Sequence, residues 1–338
     1  MTAEGLKRAR RRAGLSQADL ASAAGLSRGL VSAVETGRHT PNVDAALALA
    51  GALGEPVEDL FASAPVQERP IFGAPPVGAP VLAARVGDVL VYDAVPEHGV
   101  AGPHWRAPDG VMGDGRLELF DGRGPDGFVV AGCDPALGLA AELLPDRGLA
   151  RLLPVAASSA ASRDALGRGV VHAVVVHGTG PNPSPGHPAV RRIHLARWEV
   201  GLAAHPGAPL VVGHTESVSV ARRDPGAESQ RALDRALIVA GGGKRQVRGP
   251  LAAGHLDAAR LVALGAAELG VTMRPAATAF GLSFLGLEEH AVQLWIAAQW
   301  WDHPGAQALV EVMASRRFSR RLEHLEGYDL TGAGAPVA

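Results

Sequence analysis

The sequence predicts three parts in order: an all-α unit of five short helices, a small β-rich segment, and an α/β domain that fills most of the remaining chain. Three observations support this fold class. Apolar residues recur at helical spacing up to about residue 61, they alternate as in strands over residues 81–93, and strand-like runs alternate with helical ones after Gly127. A length of 338 residues also suits two or three domains better than one.

The composition describes a globular protein. Hydrophobic residues make up 47% of the chain and charged residues 20%, so buried cores are possible and a disordered chain is not indicated. A single cysteine excludes an intramolecular disulfide framework and a cysteine-rich zinc site. The N-terminus lacks an apolar signal segment, and no run of about 18 apolar residues occurs. We therefore expect a cytoplasmic protein without a membrane partner.

The most informative stretch is residues 15–37, which predicts two short helices with a turn between them. Ser16 is a good N-cap, and Asp19 can close a capping box with it. Gly25 supplies the positive φ that a sharp reversal requires, and Ser27 caps the second helix. Two helices that cross steeply around such a turn form a helix-turn-helix.

This stretch also carries a set of residues in fixed register: Gln17, Ala21, Gly25, Val31 and Glu35-Thr36-Gly37. With these residues it resembles the helix-turn-helix of the phage-repressor-like (XRE, or Cro/CI) regulators. The resemblance covers about residues 3–62 and implies sequence-specific binding to a double-stranded DNA operator. It implies that the DNA is contacted by Gln17, Ser27, Arg28, Gly29 and Ser32.

The charge of the first forty residues fits DNA binding, although the formal net charge of the whole chain is −2. They hold seven basic residues against three acidic ones, which is enough for a phosphate-facing patch. Arg11 on the first helix and Arg38 after the helix pair complete the predicted DNA-binding residues. A fourth helix starts near Pro41, a fifth covers VEDLF, and the helical unit is expected to span residues 1–64.

Two connecting segments are predicted next. Residues 65–80 hold five prolines and show no helical period, which is typical of a semi-rigid linker. Residues 81–126 form a small β-rich segment, with a hairpin signal at Gly87-Asp88. The α/β domain follows over residues 127–334, and its alternation of strands and helices predicts mainly parallel strands.

Five segments of this last domain occur in a set order. They are AGCDPALGLAAELL, SSAASRDALGRGVVHAVVVHG, RRDPGAESQRALD, AGHLDAARLVALGAAELGV and FSRRLEHLEGYDLTGAG. With them the domain resembles a periplasmic-binding-protein-like ligand domain of the molybdate type, which bacterial regulators carry fused to a DNA-binding head. The resemblance implies two lobes with a ligand between them at the strand ends. Arg222 and Val292 replace an asparagine and an aromatic residue that are common in that family, which argues against molybdate itself.

Three strand-to-helix loops should reach this cleft, because helix N-termini and hydroxyl groups favour anions. We therefore expect a small anionic or polar effector, such as an oxyanion, to bind there. The candidate ligand-binding residues are Cys133, Asp134, Ser158, Ser159, His177, Arg222, Arg223, Ser229 and His255.

Simpler roles stay open for these residues. The paired serines also suit N-caps, and the two arginines also suit salt bridges to Asp224. A lone cysteine such as Cys133 is more often a small buried side chain, and His177 and His255 also fit structural histidines. His172 and His177 are five apart, a poor fit to two ligands of one ion on a strand, so no metal site is expected.

These patterns predict a ligand-responsive one-component transcription regulator that works as a homodimer, because two-fold operators match two-fold proteins. No nucleophile, base and acid occur at a recognisable catalytic spacing, so we expect no enzyme activity and no cofactor. Two alternatives stay open. One is a thiol redox sensor that acts through Cys133. The other is a ligand domain that has lost its ligand and serves only assembly.

Overall fold

The computed structural model describes residues 4–61, 67–95, 107–120, 126–146, 148–241 and 247–337. The chain divides into two compact units, residues 1–67 and residues 68–338. Parts of the predicted linker and of the predicted β-rich segment lie outside the described residues. The predicted fold class, a helical head followed by an α/β domain, is confirmed. None of the described helices combines the length and the apolar run that a membrane span requires.

The head contains the five predicted helices. They are α1 (Glu4–Arg12), α2 (Gln17–Ala23), α3 (Arg28–Glu35), α4 (Val43–Leu53) and α5 (Val57–Phe61). Ser16 and Asp19 form the predicted capping box at α2, and Ser27 caps α3 through the backbone N–H of Leu30. Gly25 has a φ of 65° in the turn between the two helices. These local signals explain why the start and end of each helix follow from the sequence.

A five-stranded sheet opens the second unit, in the order β1-β3-β2-β4-β5. Its strands are β1 (Gln67–Pro70), β2 (Pro80–Val86), β3 (Val89–Ala94), β4 (Gly110–Met112) and β5 (Leu117–Leu119). The predicted semi-rigid linker over residues 65–80 contains a strand, β1, that the sequence did not predict. Strand β1 lies beside β3, and the backbone N–H of Ile71 donates to the carbonyl of Tyr92 at 2.8 Å. Proline at the end of an edge strand is compatible with this pairing because it costs no ladder hydrogen bond.

The larger sheet has seven strands in the order β10-β11-β9-β12-β8-β6-β7. Its strands are β6 (Phe128–Gly132), β7 (Leu152–Ala156), β8 (Ala173–Gly178), β9 (Val190–Ala204), β10 (Val220–Ala221), β11 (Leu269–Met273) and β12 (Ser283–Ala297). Strands β6, β7 and β8 are parallel, whereas β12 pairs antiparallel with both β8 and β9. The prediction of mainly parallel strands is therefore wrong at the centre of the sheet.

Helices cover both faces of this sheet. They are α6 (Ala136–Leu143), α7 (Ser159–Gly167), α8 (Glu228–Val239), α9 (His255–Ala263), α10 (Arg274–Ala279), α11 (Pro304–Ala314) and α12 (Arg316–Glu323). Alternate residues of β6 point to opposite cores. Phe128 and Val130 pack with α6, α11 and α12, while Val129 and Ala131 pack with α7 and the five-stranded sheet. The small sheet is thus part of the same unit as the α/β fold.

Candidate functional site

The exposed face of the head carries most of the predicted DNA-binding residues. Ser27, Arg28 and Gly29 are exposed at the start of α3, and Ser32 is half-buried one turn later. Arg11 and Arg38 are exposed as well. Within the described residues Arg28 forms no ion pair, so its guanidinium is available to a base edge. Because Ser27 uses its hydroxyl as the α3 N-cap, a DNA contact from it would have to share that group.

A buried ion pair holds α1 to the helix pair. The guanidinium of Arg10 donates to the carboxylate of Glu35 at 2.5 and 3.0 Å, and its third nitrogen donates to the carbonyl of Leu15 at 2.7 Å. Gln17 is a predicted DNA contact, and its amide nitrogen donates to Glu35 at 2.8 Å. Any phosphate contact of Gln17 must therefore come from a side chain that Glu35 already orients. Sequence reasoning missed Arg10, which looked like one more basic residue of a charged helix.

In the α/β domain, three strand ends, one helix start and the middle of one long strand converge on a buried group that we call the central cluster. It consists of Cys133, His177, Arg223, His255 and His290, all at most 6% exposed. Cys133 directly follows β6, His177 is the second-last residue of β8, and Arg223 follows β10. His255 begins α9, and His290 lies within the long strand β12. The fold thus assembles these five residues from distant parts of the chain.

A chain of hydrogen bonds crosses the cluster and fixes the tautomer of His177. The Nε2 atom of His290 lies 3.2 Å from a carboxylate oxygen of Glu288, and an ionised carboxylate can only accept a hydrogen bond. Burial lowers the pKa of His290, so its ring is neutral and its Nδ1 carries a lone pair. His177 Nδ1 lies 2.9 Å from that atom and must donate to it. The Nε2 atom of His177 therefore presents a lone pair to the Cys133 sulfur, 3.3 Å away.

Several buried polar atoms of this region have no hydrogen-bond partner among the described residues. They are Nε and one terminal nitrogen of Arg223, both ring nitrogens of His255, and the hydroxyls of Ser162 and Ser229. Unsatisfied buried groups cost roughly 1–3 kcal/mol each, and more when charged. Native proteins rarely keep several such groups together unless a ligand, an ion or an ordered water satisfies them. The central cluster is therefore the best candidate for a ligand site.

Comparison with known proteins identifies both units. Residues 141–314, just over half of the chain, match the sequence model of the PBP superfamily domain. The chain belongs to the PBP (periplasmic-binding-protein) superfamily. Residues 6–60 match the helix-turn-helix model, so the head is of the predicted XRE type. A helix-turn-helix head and a PBP ligand-binding domain in one chain are the parts of a ligand-responsive DNA-binding regulator.

Solved structures show similar folds at low identity. A Clostridium perfringens protein with bound phosphate is 12% identical, with a TM-score of 0.49, 60% of this chain covered and 99% of that one. An ABC-type phosphate transport receptor from Vibrio cholerae is 9% identical, with a TM-score of 0.41 and coverages of 59% and 98%. The regulatory domain of HypT from Salmonella typhimurium is 12% identical, with a TM-score of 0.43 and coverages of 56% and 96%. A search of curated proteins finds no match.

Within the PBP domain, the thiol of Cys133 is in an environment that keeps it protonated. Burial raises its pKa to about 11, and the nearby guanidinium of Arg223 opposes this shift without cancelling it. Oxidation and alkylation start from the thiolate, which is then scarce at neutral pH. A thiol that stays protonated disfavours the predicted alternative, a redox sensor that acts through Cys133.

Other predicted ligand residues of the PBP domain have internal partners. Asp134 accepts from Trp198, Tyr328 and the backbone of Ala136, at 2.7–2.9 Å. Ser158 caps α7, and Arg222 donates to the carbonyl of Gly249 at 3.0 Å.

Ser159 has a different arrangement, because its hydroxyl bridges the backbone N–H and carbonyl of His177 at 3.1 and 3.4 Å. It fixes the end of β8 beside the central cluster. Ser229 lies in the first turn of α8, and its hydroxyl is fully buried. That turn lies near the cluster's own loops, since the backbone N–H of Arg223 donates to Gln230 at 3.0 Å.

Sequence reasoning missed three residues of this site: Trp198, Glu288 and His290. Trp198 and His290 are direct neighbours in the register of β9 and β12, and their rings are 5.8 Å apart. They lie in the middle of long strands, whereas the ligand residues predicted from the sequence lie in or beside strand-end loops. The alternation of Glu288 and His290 in LEEHAVQLW is the signal that a strand pattern would have offered.

Proposed function

We propose that the protein binds a two-fold DNA operator as a homodimer and that a small anionic or polar effector in the PBP domain changes its affinity for that operator. Arg223 carries this proposal. The residue is 3% exposed, and within the described residues two of its guanidinium nitrogens have no hydrogen-bond partner and it forms no ion pair. A buried cation without a counter-charge is costly, and a bound anion would offset that cost with charge-assisted hydrogen bonds.

The surroundings of Arg223 suit a small anion. Ser229 offers a buried hydroxyl without a partner, and the first turns of α7 and α8 lie close by. The carboxylate of Glu228 is paired with Arg231 at 2.8 Å and with Arg163 at 3.7 Å, so it does not serve as the counter-charge of Arg223. Loops at the carboxyl ends of strands are also where open α/β sheets commonly bind ligands.

Dimerisation is proposed on geometric grounds. One helix-turn-helix reads only a few base pairs, and two heads on half-sites about 34 Å apart would multiply that specificity. Closure of the PBP domain on its effector would then change the placement of the two heads. A coupling free energy of about 1–3 kcal/mol is enough for a useful switch.

The DNA-binding part is tested on an operator selected from a random DNA library with the full chain. Arg28→Ala should cost about 1–3 kcal/mol and relax the base preference at one position, because a bidentate contact to guanine would be lost. Arg11→Ala should weaken all sequences about equally and reduce the salt dependence by about one phosphate contact. Unchanged affinity and preference in Arg28→Ala would mean that α3 is not the recognition helix.

The effector part is tested by thermal unfolding of the full chain with phosphate, sulfate, molybdate and small carboxylates. At least one should raise the unfolding temperature, because a ligand that binds only the folded state stabilises it. Arg223→Ala should abolish that rise. Arg317→Ala removes an exposed arginine of α12, a helix outside the proposed site, and should keep it. A rise that survives Arg223→Ala would place the effector elsewhere.

A further inference from the structure

Three groups of the central cluster converge on one point. The Cys133 sulfur and one ring nitrogen each of His177 and His255 lie within 4.8 Å of one another, and all three residues are buried. We propose that these residues bind one thiophilic transition-metal ion, either Zn²⁺ or Cu⁺. The inference deepens the proposed function, because the ion would share the effector cleft. It also replaces the expectation that the domain has no metal site.

The spacing fits metal ligation. Zinc binds sulfur at about 2.3 Å and imidazole nitrogen at about 2.0–2.1 Å, so these two ligands of a tetrahedral ion lie about 3.5 Å apart. The sulfur of Cys133 and Nε2 of His177 are 3.3 Å apart. The ring nitrogen of His255 lies within 4.8 Å of the other two ligand atoms. A movement of the side chain by about 1 Å, less than a change of rotamer involves, would bring it to ligating distance.

The hydrogen bonds behind His177 are those that metal-binding histidines usually have. Such histidines donate their second ring nitrogen to an acceptor that fixes the tautomer and raises the basicity of the ligand. Here Nδ1 of His177 lies 2.9 Å from Nδ1 of His290, and Nε2 of His290 lies 3.2 Å from the carboxylate of Glu288, so the second ring nitrogen of His177 has such a partner. The edge of the His177 ring that carries Nε2 thus faces Cys133, where an ion would bind beside both atoms.

His255 supplies a second, independent observation. Its ring is 1% exposed, and neither ring nitrogen has a hydrogen-bond partner among the described residues. A structural histidine would be held by at least one hydrogen bond, as His172 is by the backbone N–H of Val129 at 2.9 Å. An ion coordinated by one ring nitrogen would give that buried atom a partner.

The ligand types select the class of ion. Thiolate and imidazole prefer Zn²⁺ and Cu⁺, whereas Mg²⁺ and Ca²⁺ prefer oxygen. Binding replaces the thiol proton of Cys133, so one proton is released per ion. A divalent ion with one thiolate keeps a net charge of +1 beside the positive charge of Arg223. The remaining coordination position therefore favours an anionic atom, which connects the ion to the proposed effector.

The test uses the full chain, reduced and stripped of metal, and titrates it with Co²⁺ as a spectroscopic probe. We expect a sulfur-to-cobalt charge-transfer band, together with the intense visible bands of four-coordinate cobalt, that saturate at one ion per chain. Cys133 is the only cysteine of the sequence, so the charge-transfer band can come from no other thiolate. Zn²⁺ and Cu⁺ should each displace the probe, with competing chelators ranking the two ions, and Mg²⁺ should not.

Cys133→Ser should lose the charge-transfer band, and His177→Ala and His255→Ala should each weaken cobalt binding by at least about tenfold. His205→Ala, which removes an exposed histidine, is the matched control and should change nothing. Far-ultraviolet circular dichroism verifies that each variant is folded. The wild-type spectrum decides the matter even if a variant unfolds.

A wild-type chain without the band, or a band that both histidine variants retain at full affinity, would overturn the metal site. Neither spectrum involves DNA or an effector. The stabilisation by anions and its loss in Arg223→Ala, both measured on metal-free protein, test the proposed effector site independently of the metal site.

Discussion

Replacing Glu35 by alanine should destabilise the helical head by about 3–5 kcal/mol, which is most of the stability that a unit of this size has. The carboxylate of Glu35 is 3% exposed, and the side chain of Arg10 that it pairs with is 12% exposed. Without the carboxylate of Glu35, the guanidinium of Arg10 is buried in a low-dielectric site without its counter-charge, and the amide of Gln17 loses its hydrogen-bond acceptor. DNA binding should be lost because α1, α2 and α3 lose their common anchor.

The measurement is hydrogen exchange in the full chain, read by mass spectrometry on peptides from residues 4–61. Exchange should accelerate by about two orders of magnitude or more in the head, while peptides from residues 126–337 keep their protection. The matched control is Glu55→Ala. Glu55 pairs with Arg12 at 2.9 Å, but the two side chains are 31% and 67% exposed, so this ion pair contributes at most about 1 kcal/mol. Equal effects of the two substitutions would contradict a special role for the buried pair.

The same ion pair has a predictable pH dependence. Burial raises the pKa of Glu35, but hydrogen bonds from Arg10 and Gln17 outweigh burial and hold the pKa below its ordinary value. The stabilisation is therefore fully present above about pH 4.3, the ordinary value for a glutamate, and it is lost as the pH falls toward the lower pKa of the folded head.

The head could be predicted from its sequence because its signals are local. Ser16, Ser27, Asn42 and Gly54 each mark a helix end by forming hydrogen bonds within a few residues. The pairing of Arg10 with Glu35 spans 25 residues and has no local signal. Only the helix packing that the sequence predicts in outline places these two side chains together.

The larger sheet was harder to predict because strand direction leaves little trace in composition. Strands β9 and β12 are 15 residues each and pair with each other at the middle of the sheet. Their buried stretches look like those of parallel strands. Strand-end loops could be located because they follow apolar runs, and this is why Cys133, His177 and Arg223 were found. His290 could not be found this way, because it reaches the site only through its register with Trp198.

Asp134 shows the limit of that reasoning from position alone. It lies in a strand-end loop, as a ligand residue would, yet it is fully buried and its two oxygens accept three hydrogen bonds from the protein itself. One donor, Tyr328, is 194 residues away near the end of the chain. Asp134 thus ties the C-terminal segment to the loop that carries Cys133. Burial raises its pKa, and the three hydrogen bonds oppose that shift.

Asp134→Ala should therefore destabilise the PBP domain by roughly 3–5 kcal/mol, because three buried donors would lose their acceptor at about 1–3 kcal/mol each, partly offset by relaxation. Tyr328→Phe removes one donor together with its bond and should cost only about 1 kcal/mol. Asp146→Ala, an exposed carboxylate of the same unit, is the control and should stay within about 0.5 kcal/mol of wild type.

Urea unfolding followed by tryptophan fluorescence measures this series without interference from the head, since all five tryptophans lie after residue 67. The expected order of stability is wild type equal to Asp146→Ala, then Tyr328→Phe, then Asp134→Ala. If Asp134→Ala were as stable as wild type but lost its response to anions, Asp134 would be a ligand residue after all. If it is destabilised as expected, the loop that carries Cys133 depends on a buried carboxylate for its shape, and any ligand of the central cluster depends on that carboxylate only indirectly.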